Sequence, residues 1–200
     1  MRLAPLVDYL VVNISSPNTP GLRAWQGKNN LTRLILTLQS KRAGLTNSNG
    51  GRIPLLIKLA PDLNEHSRAD IASVAVQCHV DGLIISNTTI ERPNSLTSKN
   101  GQEAGGLSGR PLFKPSTNIL ADMYRRLDGT IPLIGVGGIS SGKDAYMKIR
   151  AGASLVQLYT ALIYNGPKLI NDINSEIYEC LINDGFANIA AAVGIDSSEY

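Results

Sequence analysis

Two short polar runs hold the residue types best suited to gripping a small polar ligand: Asn13-Ile14-Ser15-Ser16-Pro17-Asn18-Thr19 and Ser86-Asn87-Thr88-Thr89. Each follows a short apolar stretch rich in β-branched residues, so each stands where a strand should end. Their neutral donors and acceptors suit a flat heterocycle with amide and carboxylate edges. Asn, Ser and Pro also build ordinary polar turns, and either run alone supports no more than that. The second polar strand end beside the first points to a common rim.

Lys58 interrupts the apolar run Leu55-Leu56-Ile57-Lys58-Leu59. A lysine there is unfavourable unless its ammonium meets a negative charge or snorkels to the rim. One alternative is a structural cation. The other is a cation beside a ring that gains electron density on reduction. A third constellation, Gly135-Val136-Gly137-Gly138-Ile139-Ser140-Ser141-Gly142, precedes Leu158-Tyr159-Thr160-Ala161 by about twenty residues. Glycines after a strand let backbone N–H groups approach an anion, and a following helix would add its positive end. Gly105-Gly106-Leu107-Ser108-Gly109-Arg110 is a further loop able to lie close to a ligand tail, or else a flexible linker.

The elements that must position these groups alternate. Strands are expected at Tyr9 to Asn13, Leu55 to Leu59, Gly82 to Ser86, Leu133 to Val136 and Leu155 to Tyr159. Helices are expected at Leu31 to Ala43, Glu65 to His79, Thr117 to Leu127, Lys143 to Ala151 and Lys168 to Asp184, with Asn64, Ser116 and Ser141 as N-caps. Strand-helix alternation without a hairpin signal means parallel connections. The long connections Ser15 to Asn29 and Ile90 to Pro115 both leave the C-terminal end of a strand, where barrels of this kind place their chemistry. Five strands do not close such a barrel, so an open doubly wound sheet remains the alternative to a partial barrel.

The chain has 200 residues, 43% of them hydrophobic, and a net charge of +3, which fits one globular unit and gives nucleic acid little to bind. Cys78 and Cys180 match neither a disulfide framework nor metal-ligand spacing and read as reduced packing residues, and no metal site is expected. His66 and His79 read as surface or packing residues, and Trp25 as lid or packing. No run approaches the roughly 18 apolar residues that span a bilayer, and the first residues do not resemble a leader.

Taken together, Tyr9-Leu10-Val11-Val12-Asn13-Ile14-Ser15-Ser16-Pro17-Asn18-Thr19, Lys58-Leu59-Ala60-Pro61-Asp62, Asn87-Thr88-Thr89, Gly105-Gly106-Leu107-Ser108-Gly109, Gly135-Val136-Gly137-Gly138 and Ala151-Gly152-Ala153-Ser154-Leu155-Val156-Gln157-Leu158-Tyr159-Thr160 resemble the dihydroorotate dehydrogenases over essentially the whole chain. The resemblance implies an α/β fold, a (β/α)8 TIM barrel of which residues 1–200 supply roughly the last five βα units as the C-terminal part of a single FMN-binding domain. Ser16, in place of the cysteine of the soluble class, resembles the quinone-dependent class. By the resemblance, FMN would contact Asn13, Lys58, Ser86, Gly109, Gly137, Gly138, Tyr159 and Thr160. Orotate would be surrounded by Asn13, Ser16, Pro17, Asn18, Asn87 and Thr88. Ser16 would remove the C5 proton of dihydroorotate while hydride passes from C6 to the flavin. Thr19 is the expected first proton relay, and a ubiquinone-type acceptor would reoxidise the flavin.

The resemblance also implies a place in UMP biosynthesis at the mitochondrial inner membrane. Membrane contact is expected through an apolar anchor upstream of this chain, followed by three more strand-helix units. The chain alone is expected to be an incomplete catalyst. Rival readings are a soluble-class or tRNA-modifying flavin barrel, which Ser16 argues against, and a non-catalytic truncated product.

Overall fold

A computed structural model describes residues 6–48 and 50–200. The first five residues of the expected domain, and Asn49, lie outside the described residues. Five strands form one sheet: β1 (Leu10–Asn13), β2 (Leu55–Leu59), β3 (Gly82–Ile85), β4 (Leu133–Val136) and β5 (Leu155–Gln157). All neighbours are parallel and lie in chain order, β1-β2-β3-β4-β5. A doubly wound sheet reverses its strand order at a switch point. No reversal occurs here, so the open-sheet alternative is excluded and the architecture is that of a partial barrel.

The helices cover one face. Leu55, Ile57 and Leu59 of β2 alternate with Leu56 and Lys58, and Ile57 and Leu59 join the large core with Leu31, Ile35, Ile71, Val74, Leu120 and Met123. Those partners come from α1 (Lys28–Arg42), α2 (Glu65–Gln77) and α3 (Phe113–Arg126). A second cluster joins α4 (Gly142–Arg150) to α6 (Lys168–Asn183) through Ala145, Ile149, Ile173 and Ile177. On the opposite face only Leu56, Ile84 and Ile134 form a small cluster, with Val136 against it. This face is concave. Tyr9 and Gln157 flank opposite ends of the sheet, which in a flat sheet would lie roughly 19 Å apart at about 4.8 Å per strand. Yet the Gln157 amide donates to the Tyr9 hydroxyl at 3.3 Å, so the sheet curls.

Two expected caps form. The Asn64 side chain accepts from the Ser67 amide and the Ser141 hydroxyl from that of Asp144, each contributing about 1 kcal/mol. The third does not. α3 starts at Phe113, directly after a 3-10 turn (Arg110–Leu112), and Ser116 is a buried first-turn residue whose hydroxyl donates to the Leu112 carbonyl at 2.7 Å. The connection expected to run to Pro115 ends before it, since the third residue of a helix needs no intrahelical N–H partner and proline is tolerated there. The connection after β1 likewise shortens, because a 3-10 turn (Leu22–Gln26) leads into α1 at Lys28. β5 stops at Gln157, and Thr160 opens a short helix, α5 (Thr160–Asn165). α2 ends at Gln77, so Cys78 caps it and His79 lies beyond it in the left-handed region.

Candidate active site

A parallel sheet puts the C-terminal ends of all its strands on one rim, and an open cleft of about 960 Å³ lies there. That volume is at the upper end of small-molecule and cofactor sites. Lys58, Ser86, Asn87, Thr88, Gly109, Gly137, Gly138, Tyr159 and Thr160 all line it. Lys58 shares the concave face with Leu56 and is half-buried, and burial lowers its pKa from the ordinary lysine value. No hydrogen bond or ion pair satisfies its ammonium among the described residues. A half-buried cation with no protein partner on a cleft wall is a site prepared for an anionic or electron-rich ligand.

At one end of the cleft the polar strand ends interlock. The Asn87 amide donates to Asn13 Oδ1 at 3.1 Å and to the Ser15 hydroxyl at 3.0 Å, and that hydroxyl donates to Asn13 Oδ1 at 3.0 Å. Asn87 Oδ1 in turn accepts the Thr88 amide at 2.8 Å. Asn13, Ser16, Pro17 and Asn18 are not on the cleft wall itself but border this end. The Gly105-Gly106 loop closes over them: a Cβ on Gly106 would lie 1.9 Å from Thr88 Oγ1 and 3.0 Å from Pro17 Cγ. Ser16 Oγ accepts the Asn18 amide at 3.3 Å. The structure does not bring Ser16 to Thr19, which is exposed, and no hydrogen bond joins the two among the described residues.

At the other end the walls are backbone. Gly137 and Gly138 have φ of +116° and +74°. A Cβ on Gly138 would stand 2.6 Å from the Phe113 backbone nitrogen, so this turn lies flush on the start of α3. The Gly109 loop meets α5, where the Thr160 hydroxyl donates to Ser108 Oγ at 3.0 Å. The positive end of α4, expected to serve an anion, is already engaged: the Gly142 amide donates to Glu176 at 2.7 Å, and Asp144 accepts from the Ser140 amide and hydroxyl. An anion here would rely on the glycine turn and on Tyr159-Thr160 instead.

Several residues of the site carry no individual role in the sequence expectations. Arg110 lines the cleft and donates to Ser140 Oγ at 3.1 Å. Behind the glycine turn, Lys148 is fully buried, its ammonium donating to Ser116 Oγ at 2.6 Å and standing 4.9 Å from the Phe113 ring centre. Desolvation lowers its pKa to about 7, with the Asp144 charge opposing. The signal was present, for Lys148 lies on the Ala145-Lys148-Ile149 stripe at core-facing spacing. Arg23 and Asp62 form an ion pair behind the polar end, and no spacing rule links a loop arginine to an aspartate 39 residues away.

A family model described as dihydroorotate dehydrogenase matches residues 1–181. The chain belongs to the dihydroorotate dehydrogenase family. Among curated relatives it is similar to the mitochondrial dihydroorotate dehydrogenase (quinone) of Oryza sativa subsp. japonica, 55% identical over 97% of this chain and 42% of that protein. It is 53% identical to the dihydroorotate dehydrogenase (quinone) of Rhodospirillum rubrum, over 98% of this chain and 53% of that one. The ligand-free DHODH structure from Eimeria tenella superposes with a TM-score of 0.94 at 43% identity, covering 97% of this chain and 57% of that one. The chain thus spans about half the length of these dihydroorotate dehydrogenases. Plant and mouse members are named mitochondrial, whereas the bacterial ones are not. No helix among the described residues is long and apolar enough to cross a membrane.

Proposed function

We propose that the protein carrying this chain oxidises dihydroorotate to orotate, with FMN as its cofactor and a quinone as final acceptor, in UMP biosynthesis. The observation that carries the reading is the half-buried Lys58, without a protein partner among the described residues, on the wall of a cleft with a polar amide cluster at one end and a glycine turn at the other. Relatives with 51–55% identity are named dihydroorotate dehydrogenase (quinone).

The residues fit the cofactor. Glycines at positive φ let this turn lie flush on α3 while lining the cleft, and Gly137, Gly138, Tyr159 and Thr160 would hold the phosphate. Lys58, Ser86, Gly109 and Asn13 would contact the ring system, with Lys58 stabilising negative charge there. FMN, when bound, supplies a two-electron acceptor that a quinone can reoxidise.

Asn13, Pro17, Asn18, Asn87 and Thr88 orient the pyrimidine ring by its amide and carboxylate edges. Ser16 takes the proton from C5. A serine hydroxyl is a weak base and must pass its own proton on. Thr19 serves as first relay once the loop closes on substrate, since apo hydrogen bonds in catalytic loops are commonly long and tighten only in the complex. Membrane contact at the mitochondrial inner membrane would come from segments outside this chain.

The isolated chain is an incomplete catalyst in this reading. Val11 of β1 is 40% exposed and Leu155 of β5 is 61% exposed, so both outer strands present apolar side chains on edges that no strand pairs among the described residues. Orotate formation with FMN and a short-chain ubiquinone, measured on this chain and on the same chain extended upstream, tests the assignment. Turnover by the extended protein and little by the isolated chain is expected. Absence of orotate from both would overturn it.

A further inference from the structure

Arg23 lies in the 3-10 turn Leu22–Gln26, outside the cleft, yet its guanidinium touches three of the loops that shape it. Nε donates to the Ser15 carbonyl at 3.1 Å, Nη1 to Asp62 Oδ2 at 2.7 Å and Nη2 to the Thr88 carbonyl at 2.9 Å. These acceptors follow β1, β2 and β3 respectively. The planar guanidinium spreads its donors over three nitrogens in a rigid fork, one nitrogen to each chain segment, whereas an ammonium must direct its three donors from a single point. Asp62 extends the junction by accepting from the Ile90 amide at 3.1 Å and from the Thr89 hydroxyl. The turn that carries Arg23 is itself fixed, because buried Gln26 accepts the Ala60 amide at 2.9 Å.

The consequence falls on one peptide plane. The Ser15 carbonyl belongs to the peptide that leads into Ser16. On the cleft side Ser15 is held through its hydroxyl by Asn87, and on the outer side through its carbonyl by Arg23. Resting on the function proposed above, we propose that the Arg23–Asp62 pair is a positioning strut that fixes the Ser15-Ser16 peptide against the Asn87-Thr88 edge and so sets the rate of proton removal by Ser16. A strut of this kind acts on the chemical step and leaves the phosphate end, on the turns after β4 and β5, untouched. Misplacement of a reacting group by about 1 Å costs on the order of 100-fold in rate.

The test uses the natural holoenzyme with Arg23→Ala, Arg23→Lys and Asp62→Asn. Anaerobic flavin bleaching by saturating dihydroorotate should slow by roughly 100-fold in Arg23→Ala. FMN content and dihydroorotate KM should change little. Arg23→Lys should recover only part of the rate, with Asp62→Asn between the wild type and Arg23→Ala. A bleaching rate within about threefold of wild type in Arg23→Ala overturns the strut, as does a rate loss matched by an equal loss of bound FMN. Should the wild type itself fail to bleach, the functional reading falls, and hydrogen exchange then judges the strut alone. Faster exchange in Arg23→Ala at the amides of residues 15, 16, 18 and 88–90, with residues 137–141 unchanged, supports it, and unchanged exchange at the first set overturns it.

Discussion

The two ends of the cleft are built from different material. The Asn13-Asn87 end is a mesh of side chains whose donors and acceptors satisfy one another, while the Gly137-Gly138 end is backbone set tightly on the start of α3. A side-chain mesh discriminates among ligands, because each amide or hydroxyl left unpaired by a wrong ligand carries a desolvation penalty. A backbone turn instead recognises charge and shape with N–H groups that no substitution except proline removes. The contrast predicts that damage at the first end disables chemistry with the cofactor still in place, whereas damage at the second end loses the cofactor.

The largest expected effect lies at the first end. Ser16→Ala in the natural holoenzyme should slow flavin reduction by dihydroorotate by about 10³-fold or more, in the range set by loss of a positioned general base. FMN content should stay near normal. Stopped-flow bleaching checks this, and near-normal bleaching would remove Ser16 from its role and blur the contrast between the ends.

Gly138→Ala should produce the next largest effect and the opposite signature. The residue sits at φ +74° and a Cβ would be 2.5 Å from Phe113 Cβ and 2.6 Å from the Phe113 backbone. Backbone cannot yield as a flexible side chain can, so overpacking and left-handed strain together should cost about 3 kcal/mol. The variant should purify pale, with FMN affinity reduced by a hundredfold or so, a figure that follows at 1.4 kcal/mol per tenfold if most of the strain falls on the bound turn. Titration followed by flavin fluorescence measures it. Full FMN occupancy in this variant would show that the turn is not the grip.

Lys58→Met lies between the ends and should act more weakly on both. Burial lowers the pKa of Lys58, so a ligand that brings negative charge must raise it again and take up a proton at alkaline pH. Flavin affinity in the wild type should therefore fall as pH rises through the lowered pKa. Lys58→Met should bind roughly tenfold less tightly near neutrality and lose the pH dependence, in line with one partly exposed charge contact. A persisting pH dependence in Lys58→Met would assign it to another group.

How far these contrasts were legible beforehand depends on range. Leu55–Leu59 and Gly82–Ile85 announce themselves because a buried parallel strand is a short run of apolar residues, and the residues ending such runs must face the rim. That logic puts Asn13, Ser86 and Asn87 at strand ends, whereas Lys58 stands out as a charge inside an apolar run. The start of α3 was misjudged because Ser116-Thr117 has the composition of a cap, while tertiary burial uses the Ser116 hydroxyl inward. Helix α5 is too short for its period to register. Arg23 and Asp62 escaped because their pairing exists only after three loops converge.

The smallest effect near neutrality concerns the second end and Lys148, whose charge lies directly behind the glycine turn. Its pKa is lowered to about 7, mainly by desolvation, from 10.5 for a free lysine. Between those values the unfolded chain holds a proton that the folded one does not, so stability should rise with pH from about 7 toward 10 and flatten below 7, where both states are protonated. The slope for one proton is at most about 1.4 kcal/mol per pH unit. Lys148→Met fills similar volume without charge, so it should remove this rise and, below pH 7, match or exceed the wild type in stability, as apolar replacements of buried charges often do. Urea unfolding of the natural protein and the variant from pH 6 to 9 checks both statements. If FMN affinity in Lys148→Met is unchanged, the turn grips by backbone alone. If it falls tenfold while stability holds, the buried ammonium adds its field to the anion site, and the second end is not purely backbone after all.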